Sequence, residues 1–292
     1  MTEFRRIEVD GHPLLVKREG DALVAPDGKR FLIDQVKHLA PAVPTKIIAV
    51  HLNYDSRTKE FLTKLPAAPT YFHKPITALN SHHGDVVRPQ RCKWLNYEGE
   101  IVIIIGKRCK DISIEEAGEY IAGYSVGNDF GLHDFRDTDA GSMLRVKGAD
   151  TLAPVGPGMV TDWDFKNKMI RTYVNGVLKQ EDNTDNMEWN MHYLVADIAR
   201  TITLVEGDMI FSGTPANSRP VQLGDLVEVE VEGLGRLSNR IVEGHSIRAE
   251  VGAQPTESEE VISTALGGDW EFRGIRTPSK DLYPSTVEEV TK

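Results

Sequence analysis

Residues 97–106 read Tyr-Glu-Gly-Glu-Ile-Val-Ile-Ile-Ile-Gly, and this stretch constrains the fold more than any other. Five consecutive β-branched residues, 101–105, predict a strand buried within a sheet. Glu98 and Glu100 open it, and side chains at i and i+2 of a strand share a face. Two carboxylates entering an apolar sheet are costly unless a cation lies between them. A divalent metal is the natural counter-charge, and Asp129, 29 residues after Glu100, supplies a third oxygen donor. An all-oxygen donor set selects a hard ion, Mg²⁺ or Mn²⁺, with Ca²⁺ as an alternative. Taken alone, a Glu-x-Glu at a strand start is more often a solvated edge.

Strand signals dominate the chain. Residues 1–42 form an expected small β meander, whose apolar segments are broken by the turn pairs Asp10-Gly11 and Asp27-Gly28. A main body over 43–252 begins with a strand at 46–50 and contains an Asn175-Gly176 hairpin joining 171–174 to 177–180. Further strands are expected at 209–212, 226–231 and 236–242. Three helices are expected: one opened by the Ser113–Glu116 capping box and running to 122, one carrying the apolar stripe from Met187 to Ile202, and a short one over 57–64 capped by Asp55 or Ser56. Residues 253–292 make a C-terminal extension, partly extended or disordered, whose character changes at Gly267. The fold class is therefore α+β, predominantly β.

Charge and cysteine content narrow the function classes. Thirty-four basic against 44 acidic side chains give a net charge of −10, which argues against nucleic-acid binding. No run of about 18 apolar residues predicts a membrane span. The N-terminus lacks the apolar core of a signal peptide, and Cys92 and Cys109 are expected as reduced thiols in a cytoplasmic protein.

An ordered series of short segments carries a family resemblance. It comprises Leu52-Asn53-Tyr54, Phe72-His73-Lys74-Pro75, Tyr97-Glu98-Gly99-Glu100, Asn128-Asp129, Lys147-Gly148-Ala149-Asp150, Asn183-Thr184-Asp185-Asn186-Met187 and Gly213-Thr214-Pro215. The series resembles the fumarylacetoacetate hydrolase superfamily, in the branch of the hydroxyheptadienedioate and carboxymethyl-hydroxymuconate isomerases. The resemblance implies a mixed β-sandwich roll with few short helices, a homodimer, and a small-molecule 2-oxo acid substrate. It places the metal carboxylates on Glu98, Glu100 and Asp129. The chemistry it implies is polarisation of a 2-oxo carbonyl and stabilisation of an enolate. Lys147 is implied beside metal and substrate, and Lys74, Gln180 and Thr214 as pocket residues that bind substrate.

Departures from the family pattern shape the expected reaction. The hydrolases this chain resembles carry His and Glu where it has Arg57 and Glu60. A guanidinium stays protonated, so Arg57 grips a carboxylate rather than acting as a base, which leaves Glu60 as a candidate base. A plain i, i+3 ion pair between the two is the simpler alternative. Where the family often has Arg and Gln after the metal aspartate, this chain has His133 and Arg136. His133 is a candidate for proton transfer, and Arg57 with Arg136 suits a substrate with a second anionic end. The expected function is isomerisation or tautomerisation of a hydroxymuconate-type 2-oxo diacid. A C–C hydrolase of an acylpyruvate, a 2-oxo acid decarboxylase or dehydratase, and a catalytically silent 2-oxo acid binder are the alternatives.

Overall fold

A computed structural model describes residues 1–267. The apolar run lies at the centre of a large mixed sheet, as strand Gly99–Ile105, with every residue buried. It pairs antiparallel with Ile121–Asn128 on one side and with Met209–Phe211 on the other. Met209–Phe211 continues the sheet in parallel to Ile47–Val50, which pairs antiparallel with Tyr71–Lys74. In the other direction Ile121–Asn128 leads to Ala153–Thr161 and then to Thr2–Val9, so the N-terminal meander extends the same sheet. A second sheet of five strands runs Val177–Asn183, Met169–Val174, Leu226–Val231, Gly235–Ser246 and Val86–Gln90.

Strand alternation divides the apolar run between two cores. Ile101, Ile103 and Ile105 pack with Met191, Leu194, Val195 and Ile198 of the helix Met191–Thr201. Val102 and Ile104 pack with Phe130, Leu132, Val146 and Phe211. Glu98 and Glu100 share the parity of this second set, so the carboxylates enter on that face. Five α-helices of 4 to 11 residues occur among the described residues, which makes the fold predominantly β, with no closed barrel.

The hairpin turn at Asn175-Gly176 takes positive φ at both residues (51° and 77°), the geometry that joins two twisted strands in two residues. The helices differ more from expectation. The capping box forms, with Ser113 N donating to Glu116 Oε2 (2.9 Å) and Glu116 N to Ser113 Oγ (3.2 Å). Only a 3₁₀ turn, Ala117–Tyr120, follows, because Ile121 is drawn into the sheet opposite Ile105. The stripe helix starts at Met191 under an Asn190 cap; Met187 instead bridges to Tyr54. The short helix is Asp55–Glu60, and Ser56 donates its hydroxyl to Asp182 (2.6 Å) instead of capping. In the C-terminal extension a helix unassigned from sequence, Glu259–Leu266, is capped by Ser258 and packs Val261, Ala265 and Leu266 on Trp94. The remainder of that extension, 268–292, lies outside the described residues.

Candidate active site

Two neighbouring strand ends bring the acidic residues together. Glu98 N donates to Asn128 Oδ1 (2.7 Å), and Asp129 N donates to the Glu98 carbonyl (2.8 Å). Glu100 projects from within its strand, and its Oε2 accepts the Gly213 N–H at 2.8 Å. Gly213 sits at φ +98°, where a Cβ would come within 2.8 Å of the Asn53 Cβ, so the turn that delivers this donor requires glycine. Asn53 fixes the turn by donating to the Ser212 carbonyl (2.7 Å) and the Trp189 carbonyl (2.9 Å). The three carboxylates are buried and each offers an oxygen within 4.8 Å of the others.

Two lysines balance part of this charge. Lys147, on the helix Leu144–Gly148, donates to Glu98 Oε2 (2.6 Å) and the Asp129 carbonyl (2.8 Å), and lies 3.0 Å from Asp129 Oδ2. Asp139 anchors that helix by accepting the Val146 N–H at 2.9 Å. Lys74 donates to Asp129 Oδ1 and is fully buried. Burial opposes charge at Asp129, but the Lys147 and Lys74 ammoniums outweigh it and hold the carboxyl below its ordinary range. Burial likewise opposes the Lys147 charge, and Asp129 and Glu98 more than offset it, raising this ammonium. Glu100 takes no ion pair among the described residues. Burial, then the charges of Asp129 and Glu98, push its carboxyl well up. A buried carboxylate without a cation, facing two others, fits a hard divalent ion held by Glu98, Glu100 and Asp129.

A cavity of about 40 Å³ opens beside this cluster, walled in part by Arg57, Glu98, His133, Arg136, Lys147 and Thr264. Arg57 donates to Glu60 Oε2 (2.7 Å) and Glu98 Oε1 (3.3 Å), so the i, i+3 ion pair exists and also reaches the acidic cluster. Glu60 has both oxygens engaged, by Arg57, Arg219 and the Asn217 N–H (3.2 Å). His133 is buried, with Nδ1 3.0 Å from Thr264 Oγ1 and Nε2 without a hydrogen-bond partner among the described residues. Burial, then Lys147, Arg136 and Arg57, hold its imidazole neutral, well below its usual titration range.

The structure thus gathers Arg57, His133, Arg136 and Lys147 around one cavity with Glu98. Lys74, Gln180 and Thr214 are not among the residues that wall this cavity. Gln180 accepts the Gly99 N–H (3.1 Å) and donates to Thr214 Oγ1 (3.0 Å) and the Pro215 carbonyl (2.8 Å), a bracket between the strand and the Gly213 turn. Sequence reasoning assigned no role to Arg219, Glu260 and Thr264. The last two sit on the C-terminal helix, which Ser258, Glu259-Glu260 and Gly267 signal as cap, acidic first turn and stop.

The family model described as fumarylacetoacetate (FAA) hydrolase C-terminal matches residues 46–242, and the chain belongs to this family of enzymes. Among solved structures, it is similar to 5-carboxymethyl-2-hydroxymuconate delta-isomerase from Mycobacterium smegmatis: 34% identity, TM-score 0.77, covering 83% of this chain and 99% of that one. It is also similar to 2-hydroxyhepta-2,4-diene-1,7-dioate isomerase from Mycobacterium marinum, with 33% identity, TM-score 0.76 and coverage of 83% and 99%. A 4-hydroxyphenylacetate degradation bifunctional isomerase/decarboxylase of Salmonella dublin is 38% identical over 199 residues, 67% of this chain and 46% of that protein. No helix among the described residues is long and apolar enough to cross a membrane.

Proposed function

We propose that this chain is a divalent-metal-dependent isomerase that shifts a double bond in a hydroxymuconate-type 2-oxo diacid, a product of aromatic ring cleavage. The observation that carries the reading is the meeting of the Glu98–Glu100–Asp129 cluster with Lys147, Arg57, Arg136 and His133 at one small cavity. Mg²⁺ or Mn²⁺ at the carboxylates, with Ca²⁺ as the alternative, would supply Lewis-acid polarisation of the 2-oxo carbonyl.

The chain's own residues supply the rest. Lys147 lies against Glu98 and Asp129, where its ammonium neutralises charge developing on the substrate oxygens. Arg57 and Arg136 grip the distal carboxylate, the use to which a fixed guanidinium is best suited. His133 moves the proton: it lines the cavity, and its Nε2 takes no hydrogen bond among the described residues. Glu60 orients Arg57 rather than serving as the base, since its oxygens are already taken. Lys74, Gln180 and Thr214 hold the carboxylates and the Gly213 turn in place. The two isomerase structures cited above support the same reaction class. The reading includes a cytoplasmic homodimer, which light scattering on the purified protein tests.

The deciding experiment is a spectrophotometric screen of Mg²⁺- and Mn²⁺-loaded protein with product masses. Hydroxymuconate-type diacids should give a spectral shift at unchanged mass. Acylpyruvates split into two fragments with addition of water, or loss of CO₂, would replace this reading with a hydrolase or decarboxylase.

A further inference from the structure

We propose that the C-terminal helix Glu259–Leu266 is a working part of this site, with Thr264 as a positioning residue that fixes His133 in its Nδ1–H tautomer. The inference deepens the functional reading above and rests on it. The helix lies outside the family match, which ends at residue 242. Yet Thr264 lines the same cavity as Glu98, Lys147 and His133.

Proton counting points to the tautomer. The Thr264 hydroxyl has one proton and two carbonyls in reach, Glu260 O at 2.9 Å and Val261 O at 3.1 Å. A carbonyl only accepts, so either is a ready destination for the hydroxyl proton. With the hydroxyl proton donated to a carbonyl, Oγ1 offers His133 a lone pair, and the 3.0 Å contact takes its proton from Nδ1. A neutral ring with Nδ1–H has its lone pair on Nε2, the nitrogen that takes no hydrogen bond among the described residues. During isomerisation Nε2 accepts a proton as a substrate C–H bond breaks, and returns it as a C–H bond forms at another carbon. Nδ1–H stays on Thr264 throughout, and the proton balance closes.

The helix is fastened where this role demands. Asn96 Nδ2 donates to the Ala265 carbonyl at 2.7 Å. Thr256 and Ser258 donate their hydroxyls to the two oxygens of Asp137 at 2.8 and 2.6 Å. Glu260 Oε1 lies 3.8 Å from Arg136 Nε, so the helix also touches the cation assigned to the distal carboxylate. Gly267 ends it at φ +55°, with so little room that a Cβ would come within 2.4 Å of Glu60 Oε1.

The test is ¹⁵N-histidine NMR on the full Mg²⁺-loaded chain, with the His133 signals assigned by their loss in His133→Gln, alongside kinetics of Thr264→Val and Thr264→Ser. The wild-type ring should carry its proton on Nδ1. Thr264→Val should lose that single tautomer and lower kcat about 10- to 100-fold with KM nearly unchanged, the range seen when an orienting partner is removed. Thr264→Ser should restore both. A wild-type proton on Nε2, or a Thr264→Val protein with tautomer and kcat unchanged, overturns the proposal, and the wild-type spectrum needs no variant to fold. The expected tautomer in a protein that turns over no 2-oxo acid would overturn the functional reading and leave the Thr264–His133 assignment standing.

Discussion

Lys147 Nζ donates to Glu98 Oε2 at 2.6 Å with both side chains buried. The ammonium is thus committed to the acidic cluster before any substrate arrives. Lys147→Met leaves Glu98 without its 2.6 Å partner and Asp129 with Lys74 alone. Removing one partner of a buried pair costs about 3–5 kcal/mol. Thermal unfolding should show that loss, and added Mg²⁺ should recover part of it. Turnover should fall about 10²- to 10³-fold, the effect of deleting one group that stabilises developing charge. A melting temperature unchanged from wild type would contradict the geometry.

Arg136 lines the same cavity, 3.8 Å from Glu260 and touching Met143 Sδ. Hydrogen bonds to charged groups contribute about 1.5–3 kcal/mol. Arg136→Met should therefore raise KM for a diacid about 10- to 100-fold and leave a monocarboxylate substrate nearly unaffected. Equal losses on both substrates would remove Arg136 from the distal subsite.

Gly99 separates the two glutamates because nothing larger fits. A Cβ there would lie 2.2 Å from Thr172 Oγ1 and 3.0 Å from Val229 Cγ1. Gly99→Ala should cost about 1–3 kcal/mol by overpacking. It should also weaken Mn²⁺ binding, since Glu98 and Glu100 move with the strand. Calorimetry and thermal melts on one preparation check both effects.

Acid should destabilise the fold before its carboxylates titrate. Burial is the main cause that depresses His38 and His51 to about 4 and His82 to about 2, with Arg5 and Arg136 adding to it at His38 and His51 respectively. The unfolded chain takes up these protons near the ordinary histidine value of 6.5, while the folded chain does not. Stability is therefore lost as pH falls from about 6.5 toward 4. His82→Asn keeps an acceptor for the Ser238 N–H but cannot titrate. Its denaturation midpoint should drop less between pH 7 and 5 than that of the wild type, and identical drops would exclude His82 as a source of acid sensitivity.

The sequence was most legible where local pattern and tertiary environment agree. The run at 101–105 is a central strand because five β-branched residues suit no other buried element, and Asn175-Gly176 turns because both residues tolerate positive φ. The acidic cluster was legible as a charge problem inside an apolar sheet. Contacts set by chain packing were not. Arg219 meets Glu60 across 159 positions and Thr264 meets His133 across 131, and no local rule links them. The Ser113–Glu116 box misled because cross-strand pairing at Ile121 outweighs one cap. Lys74 reads as a pocket residue in a motif, but that its ammonium, at the end of strand Tyr71–Lys74, meets Asp129 is set by sheet packing.

The most direct test of the account is calorimetric titration of Mg²⁺ and Mn²⁺ into metal-stripped wild type and Glu100→Gln, whose side chain keeps its shape and loses the charge. The account predicts one saturable site per chain in the wild type and its loss, with turnover, in the variant. Equal binding by both proteins, or no saturable binding by a folded wild type, would contradict a metal centre at Glu98, Glu100 and Asp129.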